Sequence, residues 1–218
     1  MDHKLLDYLQ SFLTERRREL FDRVLLERTN HITVAVEDVY QLHNTSAVIR
    51  SCESFGVQNL HVIEEVNVKR IDREIAMGAQ KWVDVHRHNS AKECIHSLKA
   101  QGYRIVATTP HQKAYRLEDF DITQKAAIFF GRETQGLSDD VLEVADDFIY
   151  IPMVGFTESL NISVSAAITL QHLMTRLKAS DVSWQLSDSE VFEKKLAWTK
   201  KMIKDVDRII ERWKEDQT

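Results

Sequence analysis

Ile151-Pro152-Met153-Val154-Gly155-Phe156-Thr157-Glu158-Ser159-Leu160-Asn161-Ile162-Ser163 joins a short apolar run to a segment with helical periodicity. Phe148 to Ile151 reads as a β-strand, and Ala166, Ala167, Leu170, Leu173, Met174 and Leu177 read as one face of a helix ending near Lys178. A strand that gives way to a helix through a polar loop is the junction at which open α/β sheets present ligand-binding groups. The same alternation recurs upstream. Strands are expected at Ile32 to Val36, Leu60 to Ile63, Trp82 to Val85, Tyr103 to Thr108 and Ala126 to Phe130, with helices opening near Ser46 and Ser90. The pattern predicts an α/β domain built on a mostly parallel sheet. Gly56 and Gly102 fall where those helices should end in a left-handed residue, and Ser138 falls where a short helix should be capped.

The two ends of the chain follow a different pattern. Residues 2 to 28 read as a helix, with Leu5, Leu6, Leu9, Phe12, Leu13, Leu20, Val24 and Leu25 recurring every three or four positions between charges. Beyond Lys178 a polar linker, Ala179 to Ser189, leads to apolar residues in two interleaved sevens, Leu196, Ile203, Ile210 and Phe192, Val206, Trp213, with Thr199 in the gap of the second. That spacing approaches a coiled-coil seam, which Trp198, Met202 and Ile209 widen into a stripe needing cover from the body or from a second subunit. The expected organisation is an N-terminal helical extension over 1–30, an α/β domain over 31–178, and a linker with a C-terminal helical extension over 179–218.

With 218 residues, 43% apolar, and only two prolines, the chain can bury a substantial core. No run of eighteen apolar residues occurs, and Asp2 to Glu27 is charged without an apolar signal core, so the expected location is cytoplasmic, with no membrane partner. Cys52 and Cys94 are too few for a disulfide framework and lack zinc-site spacing; both are expected to be buried. The nine histidines are scattered, and His86 with His88 at a strand end have no third ligand beside them in sequence, so they read as exposed loop residues and no metal site is expected. The net charge of −5 argues against a broadly basic surface. Local patches stay open, because Arg16-Arg17-Arg18, Arg23 and Arg28 load the first segment while Arg176 and Lys178 close a later helix.

Two further stretches bear on function. Gly131-Arg132-Glu133-Thr134-Gln135-Gly136-Leu137-Ser138, following Phe130, has the glycine and serine spacing of a phosphate-binding loop, with Leu137 at the lysine position. Leucine offers no donor to a terminal phosphate, which argues against a nucleotide triphosphate site. No GxGxxG follows any expected strand, so the dinucleotide fold lacks its signature as well. On spacing alone Gly131 and Gly136 mark either a tight turn or a ligand loop. In Asn44-Thr45-Ser46-Ala47-Val48-Ile49-Arg50, Asn44 suits a helix start and Arg50 suits a surface position. A single cap accounts for one of Gly155, Ser159 and Asn161, and leaves the others unexplained.

Taken in order, the three stretches resemble the three motifs of the SPOUT RNA 2′-O-methyltransferases, over about Thr33 to Arg176. The Ser159-Leu160-Asn161 triplet, placed after Ile151-Pro152 and a glycine, is the most specific part. Glu37 to Cys52 resembles the branch acting on transfer RNA more closely than the ribosomal RNA branch. The resemblance implies a C-terminal trefoil knot in the α/β fold and a homodimer with the site at its interface. It also implies S-adenosylmethionine as methyl donor without a metal, and the ribose of guanosine 18 in the D-loop of tRNA as substrate. By the same resemblance Arg50 is the catalytic residue, with Asn44, Glu133, Ser159 and Asn161 positioning the reactants. Thr108 with neighbouring Thr109, Gly131, Ile151, Met153 and Leu160 would hold the cofactor. His43, Arg16, Arg17, Arg18, Arg176 and Lys178 are the expected RNA contacts. A guanidinium stays protonated far above neutral pH, so for Arg50 stabilising a developing alkoxide or orienting a phosphate is the easier role than proton abstraction. A ribosomal RNA 2′-O-methyltransferase would share this core, and a non-enzymatic RNA-binding module would tolerate loss of the motif residues, all of which are present.

Overall fold

The computed structural model describes residues 2–37, 42–64, 78–109, 114–132 and 135–217. Their contacts divide the chain into two units, a body of Thr29–Trp184 and a second unit made of Met1–Arg28 with Gln185–Thr218. The two ends, expected as separate extensions, therefore fold together.

In the body, β1 (Ile32–Glu37), β2 (Asn59–Ile63), β3 (Asp84–His88), β4 (Arg104–Thr108), β5 (Tyr115–Arg116), β6 (Ala126–Phe130) and β7 (Asp147–Tyr150) form one sheet in the order β3-β2-β1-β6-β4-β7-β5. Every neighbouring pair is parallel. All residues of β1 and β6 are buried, as near-continuous apolar runs covered on both faces should be. The period of two then sorts them. Val34, Val36, Ile128 and Phe130 join a core with residues of α3 (Leu42–Phe55) and α6 (Ile162–Lys178), whereas Ala35, Ala127 and Phe129 join one with α4 (Ala91–Ala100) and α5 (Asp139–Leu142). Because the strands are parallel, the loops that follow β1, β4, β6 and β7 leave the sheet along one edge, where an open α/β sheet carries its site.

Sequence and structure differ in instructive places. The third strand begins at Asp84, because Trp82 follows a single 3₁₀ turn over Ala79–Lys81. Its histidines lie on β3 rather than in a loop, since an edge strand can carry polar side chains without the apolar alternation that marks its neighbours. The two-residue β5 is exposed and gave no such signal. Gly56 and Gly102 adopt the left-handed conformation expected of cap residues, with φ of 87° and 80°. Ser138 holds the N-cap position of α5, although its side chain makes no capping bond. Cys52 and Cys94 are free and buried, and burial pushes the Cys94 thiol up to about 12.

In the second unit the expected first helix is two, α1 (His3–Gln10) and α2 (Glu15–Leu25), because Thr14 caps a new start by accepting the Arg17 N–H at 3.3 Å. The expected C-terminal seam is likewise broken, into α7 (Asp188–Met202) and α8 (Val206–Glu215), with Asp205 left-handed at φ 52° between them. Phe21 of α2 meets Trp198 of α7 edge-on, 5.5 Å between ring centres. The Arg28 guanidinium lies 5.5 Å from the same indole and is buried, so Arg28 belongs to a core and leaves the basic cluster expected around it.

Arg176 is also placed differently from a surface cation. Half-buried on α6, it donates to the Leu117 carbonyl at 3.0 Å and the Phe120 carbonyl at 2.8 Å, tying down the segment between β5 and β6. Charged hydrogen bonds of this kind contribute about 1.5–3 kcal/mol each. Arg176→Ala should therefore lower the urea midpoint by an amount equivalent to about 2 kcal/mol or more with an unchanged slope. An unaltered midpoint would mean that these bonds do not hold the segment.

Candidate active site

The loop after β6 is built by close approach of its own backbone. Arg132 and Gly136 exchange N–H to carbonyl bonds in both directions at 2.9 Å, closing a tight hairpin in which Gly136 has φ 71°. A Cβ on Gly131 would stand 2.2 Å from the Gly136 carbonyl carbon and 2.3 Å from the Leu137 nitrogen, so only glycine fits there. Leu137, the residue that argued against a phosphate loop, is buried in the core that also holds α4 and α5. Glu37, the last residue of β1, is wholly buried and accepts the Ser138 N–H on Oε2 at 2.8 Å, fixing the far end of the same loop. Sequence reading gave Glu37 no role beyond opening the stretch that resembles the transfer RNA branch; an acid closing an otherwise apolar strand is the available signal. Glu133 lies outside the described residues, and so does the side chain of His43.

The loop after β7 carries the third motif into α6. Asn161 is the N-cap of α6, its Oδ1 accepting from the Ser163 N–H at 2.8 Å and from the Ser163 hydroxyl at 2.5 Å. Its amide Nδ2 donates to Asn44 Oδ1 at 3.3 Å. The first and third motifs are thereby joined through two side chains separated by 117 positions in the chain. Helix α3 opens at Leu42, earlier than expected, so Asn44 sits within its first turn, buried, rather than capping it.

A cavity of about 410 Å³, within the usual range for small-molecule sites, opens among these loops. All five residues expected at a cofactor line it: Thr108, Gly131, Ile151, Met153 and Leu160. Ser159 and Thr109 lie in the same wall, as do Glu158 and Gln135, which sequence reading did not single out. Thr108 is held by donation of its hydroxyl to the Phe129 carbonyl at 2.8 Å, and Thr109 by donation of its N–H to the Ile149 carbonyl at 3.0 Å. Apolar side chains of Leu117, Ile149 and Ile162 supply the rest of the wall, a combination suited to a flat ring system with polar edges.

Arg50 is exposed and does not line this cavity. It borders a separate, more open groove of about 420 Å³ between α3 and α6, together with Ser163, Val164 and Ile168. The two surfaces use different faces of α6: Ile162, Ser165 and Thr169 look into the cavity, Val164, Ala167 and Ile168 into the groove. The structure thus joins Asn44 to Asn161, gathers the residues expected at a cofactor in one cavity with Ser159, and leaves Arg50 on the neighbouring face.

Fold and site together define an α/β protein of the SPOUT class. The sequence matches the SpoU rRNA Methylase family over residues 31–171. It is 38% identical to a tRNA (guanosine(18)-2′-O)-methyltransferase of Borreliella burgdorferi, over 92% of this chain and 92% of that one. The crystal structure of the A. aeolicus TrmH/SpoU tRNA modifying enzyme is similar with a TM-score of 0.77 at 30% identity, covering 88% of this chain and 98% of that one. The SpoU methyltransferase AviRb of Streptomyces viridochromogenes, solved in complex with the cofactor AdoMet, shares the fold with a TM-score of 0.64 at 24% identity, over 73% of this chain and 65% of that one. The chain belongs to the SpoU rRNA Methylase family.

The double role of Asn161 can be taken apart. Asn161→Ala removes the cap and should cost about 0.5–2 kcal/mol in urea unfolding. Asn161→Ser restores a capping oxygen but cannot reach Asn44, and should recover most of that loss. Equal destabilisation by both would place the stabilising contribution in the Asn44 contact instead.

Proposed function

We propose that this chain transfers a methyl group from S-adenosylmethionine to a ribose 2′-hydroxyl of tRNA, at guanosine 18 of the D-loop, in the cytoplasm and as a homodimer. The observation that carries the reading is the meeting of Thr108, Gly131, Ile151, Met153 and Leu160 in one cavity. The 38% identity to the Borreliella burgdorferi tRNA (guanosine(18)-2′-O)-methyltransferase, extending over nearly the whole of both chains, supports the choice of substrate. Among the described residues no helix is long and apolar enough to cross a membrane.

The cavity fits such a donor in size and in chemistry. Backbone groups of Ile151, Met153 and Leu160 would meet the polar edges of the adenosyl part, with Leu117 and Ile149 against its ring. The tight Gly131 to Gly136 hairpin would shape the wall near the methyl-bearing end. S-adenosylmethionine supplies a methyl group already activated on a sulfonium, so the transfer calls for no Lewis acid. The protein's work is then to hold the ribose oxygen in line and to manage its proton and developing charge. Asn44 and Asn161 fix the start of α6 against α3, and with it Ser159 ahead of the helix.

Arg50 would act on charge at the ribose oxygen. Its place outside its own chain's cavity supports a site completed at a subunit interface. The groove beside it exposes Val164 at 44% and Ile168 at 39%, an apolar face that a second copy would cover. The trefoil crossing implied by the family resemblance belongs to the same reading. RNA would be held by Arg16 and Arg18, exposed on α2, by half-buried Arg17, and by Lys178 and His43. Arg176 is the less favoured contact, given the two carbonyls it already holds.

The direct test is transfer of labelled methyl groups from S-adenosylmethionine to purified tRNA and ribosomal RNA. Methylation at guanosine 18 of tRNA is expected; labelling of ribosomal RNA alone would overturn the substrate, and labelling of neither would overturn the activity. In that assay Arg50→Ala should lower turnover about a hundredfold or more with cofactor affinity nearly unchanged, the scale of losing one electrostatic stabiliser. Arg50→Lys, with no bidentate fork, should not rescue it. Full activity of Arg50→Ala would remove Arg50 from the chemistry.

Changing Arg16, Arg17 and Arg18 together to Ala should weaken binding to all tRNAs alike and flatten the dependence of log K on log salt by up to about 3, since each phosphate contact contributes about 0.9. Filter binding at several salt concentrations measures both. Unchanged affinity would assign the triplet to an ordinary solvated helix face.

A further inference from the structure

Away from the cavity, on the opposite wing of the sheet, three residues that sequence separates are brought together. In the register of β2 with β3, His61 stands opposite His86 and Ile63 opposite His88, which places all three imidazoles on one face of the sheet. His61 Nδ1 and His88 Nε2 face each other at 2.9 Å. Cys94, in the second turn of α4, points into the same place, and the three ligand atoms lie within 4.8 Å of one another. His61, His88 and Cys94 are buried, with exposures of 4%, 9% and 0%. Among the described residues this is the one group of three such side chains close enough to share an ion.

We infer that His61, His88 and Cys94 form a binding site for a divalent first-row metal ion, zinc by preference. The chemistry of the set points there. Two imidazole nitrogens and one thiolate are the ligands zinc takes in tetrahedral sites, and no carboxylate or carbonyl oxygen that would favour magnesium or calcium is part of the group. Bonds of about 2.0–2.3 Å at tetrahedral angles separate ligand atoms by about 3.3–3.8 Å. The two histidine nitrogens, 2.9 Å apart, must open by a few tenths of an ångström, and the sulfur, within 4.8 Å of them, must close by up to about 1.2 Å, movements within reach of side-chain rotations. On binding, the proton between the facing nitrogens moves to an outward ring nitrogen, and the thiol proton leaves to solvent, so at least one proton is released per ion. Exposed His86 stands beside the group without belonging to it, its ring stacked on His61 with centres 4.8 Å apart and its Nε2 bonded to Asn59 Oδ1 at 3.0 Å. The ion would staple β3, an edge strand, to β2 and α4. Its position, with β2 and β1 lying between β3 and β6, gives it a structural role separate from methyl transfer.

A histidine pair satisfied by its own hydrogen bond beside a buried thiol is the competing account, and the two differ in what the protein retains. The full-length chain, freed of metal with a chelator, is titrated with cobalt(II) and then with zinc. Saturation at one cobalt per chain is expected, with intense visible d–d bands and a thiolate-to-cobalt charge-transfer band in the near ultraviolet, displaced stoichiometrically by zinc. Cys94→Ala, a small buried replacement, should abolish the charge-transfer band. His88→Gln should weaken binding at least tenfold, and both variants should lose the rise in melting temperature that zinc gives the parent. No saturable binding, or a charge-transfer band that survives in Cys94→Ala, overturns the assignment. Because RNA methylation does not enter these readouts, their failure would leave the proposed function standing, and the reverse holds as well.

Discussion

One side chain links what the rest of the site depends on. Asn161 ends the third-motif loop, caps a seventeen-residue helix and reaches across to Asn44 in the first turn of α3. A helix start needs acceptors for its free N–H groups, and Asn is among the side chains that serve. Here that need also fixes the distance between two helices lying on one face of the sheet. With α6 set against α3, the cavity wall on one side of α6 and the Arg50 groove on the other are set together. Ser159 and Leu160 precede the cap directly, so their positions follow from it.

The second constraint is backbone crowding in the loop after β6. Gly131 has no room for a Cβ, Gly136 is left-handed, and Glu37 at the end of the neighbouring β1 holds the Ser138 N–H. The hairpin is held from within and from an adjacent strand, and Leu137, which follows it, is anchored in the core beside Val141 of α5. This explains why a sequence with phosphate-loop glycine spacing forms something different. Where a phosphate loop ends in a lysine aimed at the ligand, this one ends in a leucine anchored in the core, and the loop offers a wall in place of an anion cradle.

The fold was legible wherever buried parallel strands wrote themselves as continuous apolar runs, and β6 was read to the residue. It was illegible where polarity and structure part company. On β3 the histidines and Arg87 broke the apolar pattern, and the lateral pairing that makes them a strand is a long-range fact absent from any local window. For the same reason the third ligand for His88 was invisible: His61 is 27 residues before it on another strand, and only the register brings the two together. The ends failed in another way. Hydrophobic periodicity ran straight across Thr14 and across Asp205, because a stripe that packs on the same neighbours can persist through a break in the helix that carries it. For the site, the cavity-wall residues were readable because they sit on contiguous motifs, whereas the Glu37 carboxylate meets the Ser138 N–H, 101 positions away, only through tertiary geometry.

Charge distribution bears on how an acidic chain could hold RNA. Within Met1–Arg28 and Gln185–Thr218, 14 Lys and Arg stand against 14 Asp and Glu, so the sheet body carries the whole net charge of −5. A body of that sign repels a polyanion at long range, an effect screened beyond about 8–10 Å in physiological salt. Attraction must then come from short-range clusters, and the Arg16-Arg17-Arg18 triplet on α2 is the densest. Arg28 and Arg176 contribute less than their number suggests, one spent on an indole inside the helical unit and the other on two carbonyls in the body. Electrostatic attraction to an RNA would on this account come from such clusters and not from the net charge of the chain. Attraction limited to clusters favours specificity over strength, because the net negative charge of the body penalises RNA that is not held in register by them.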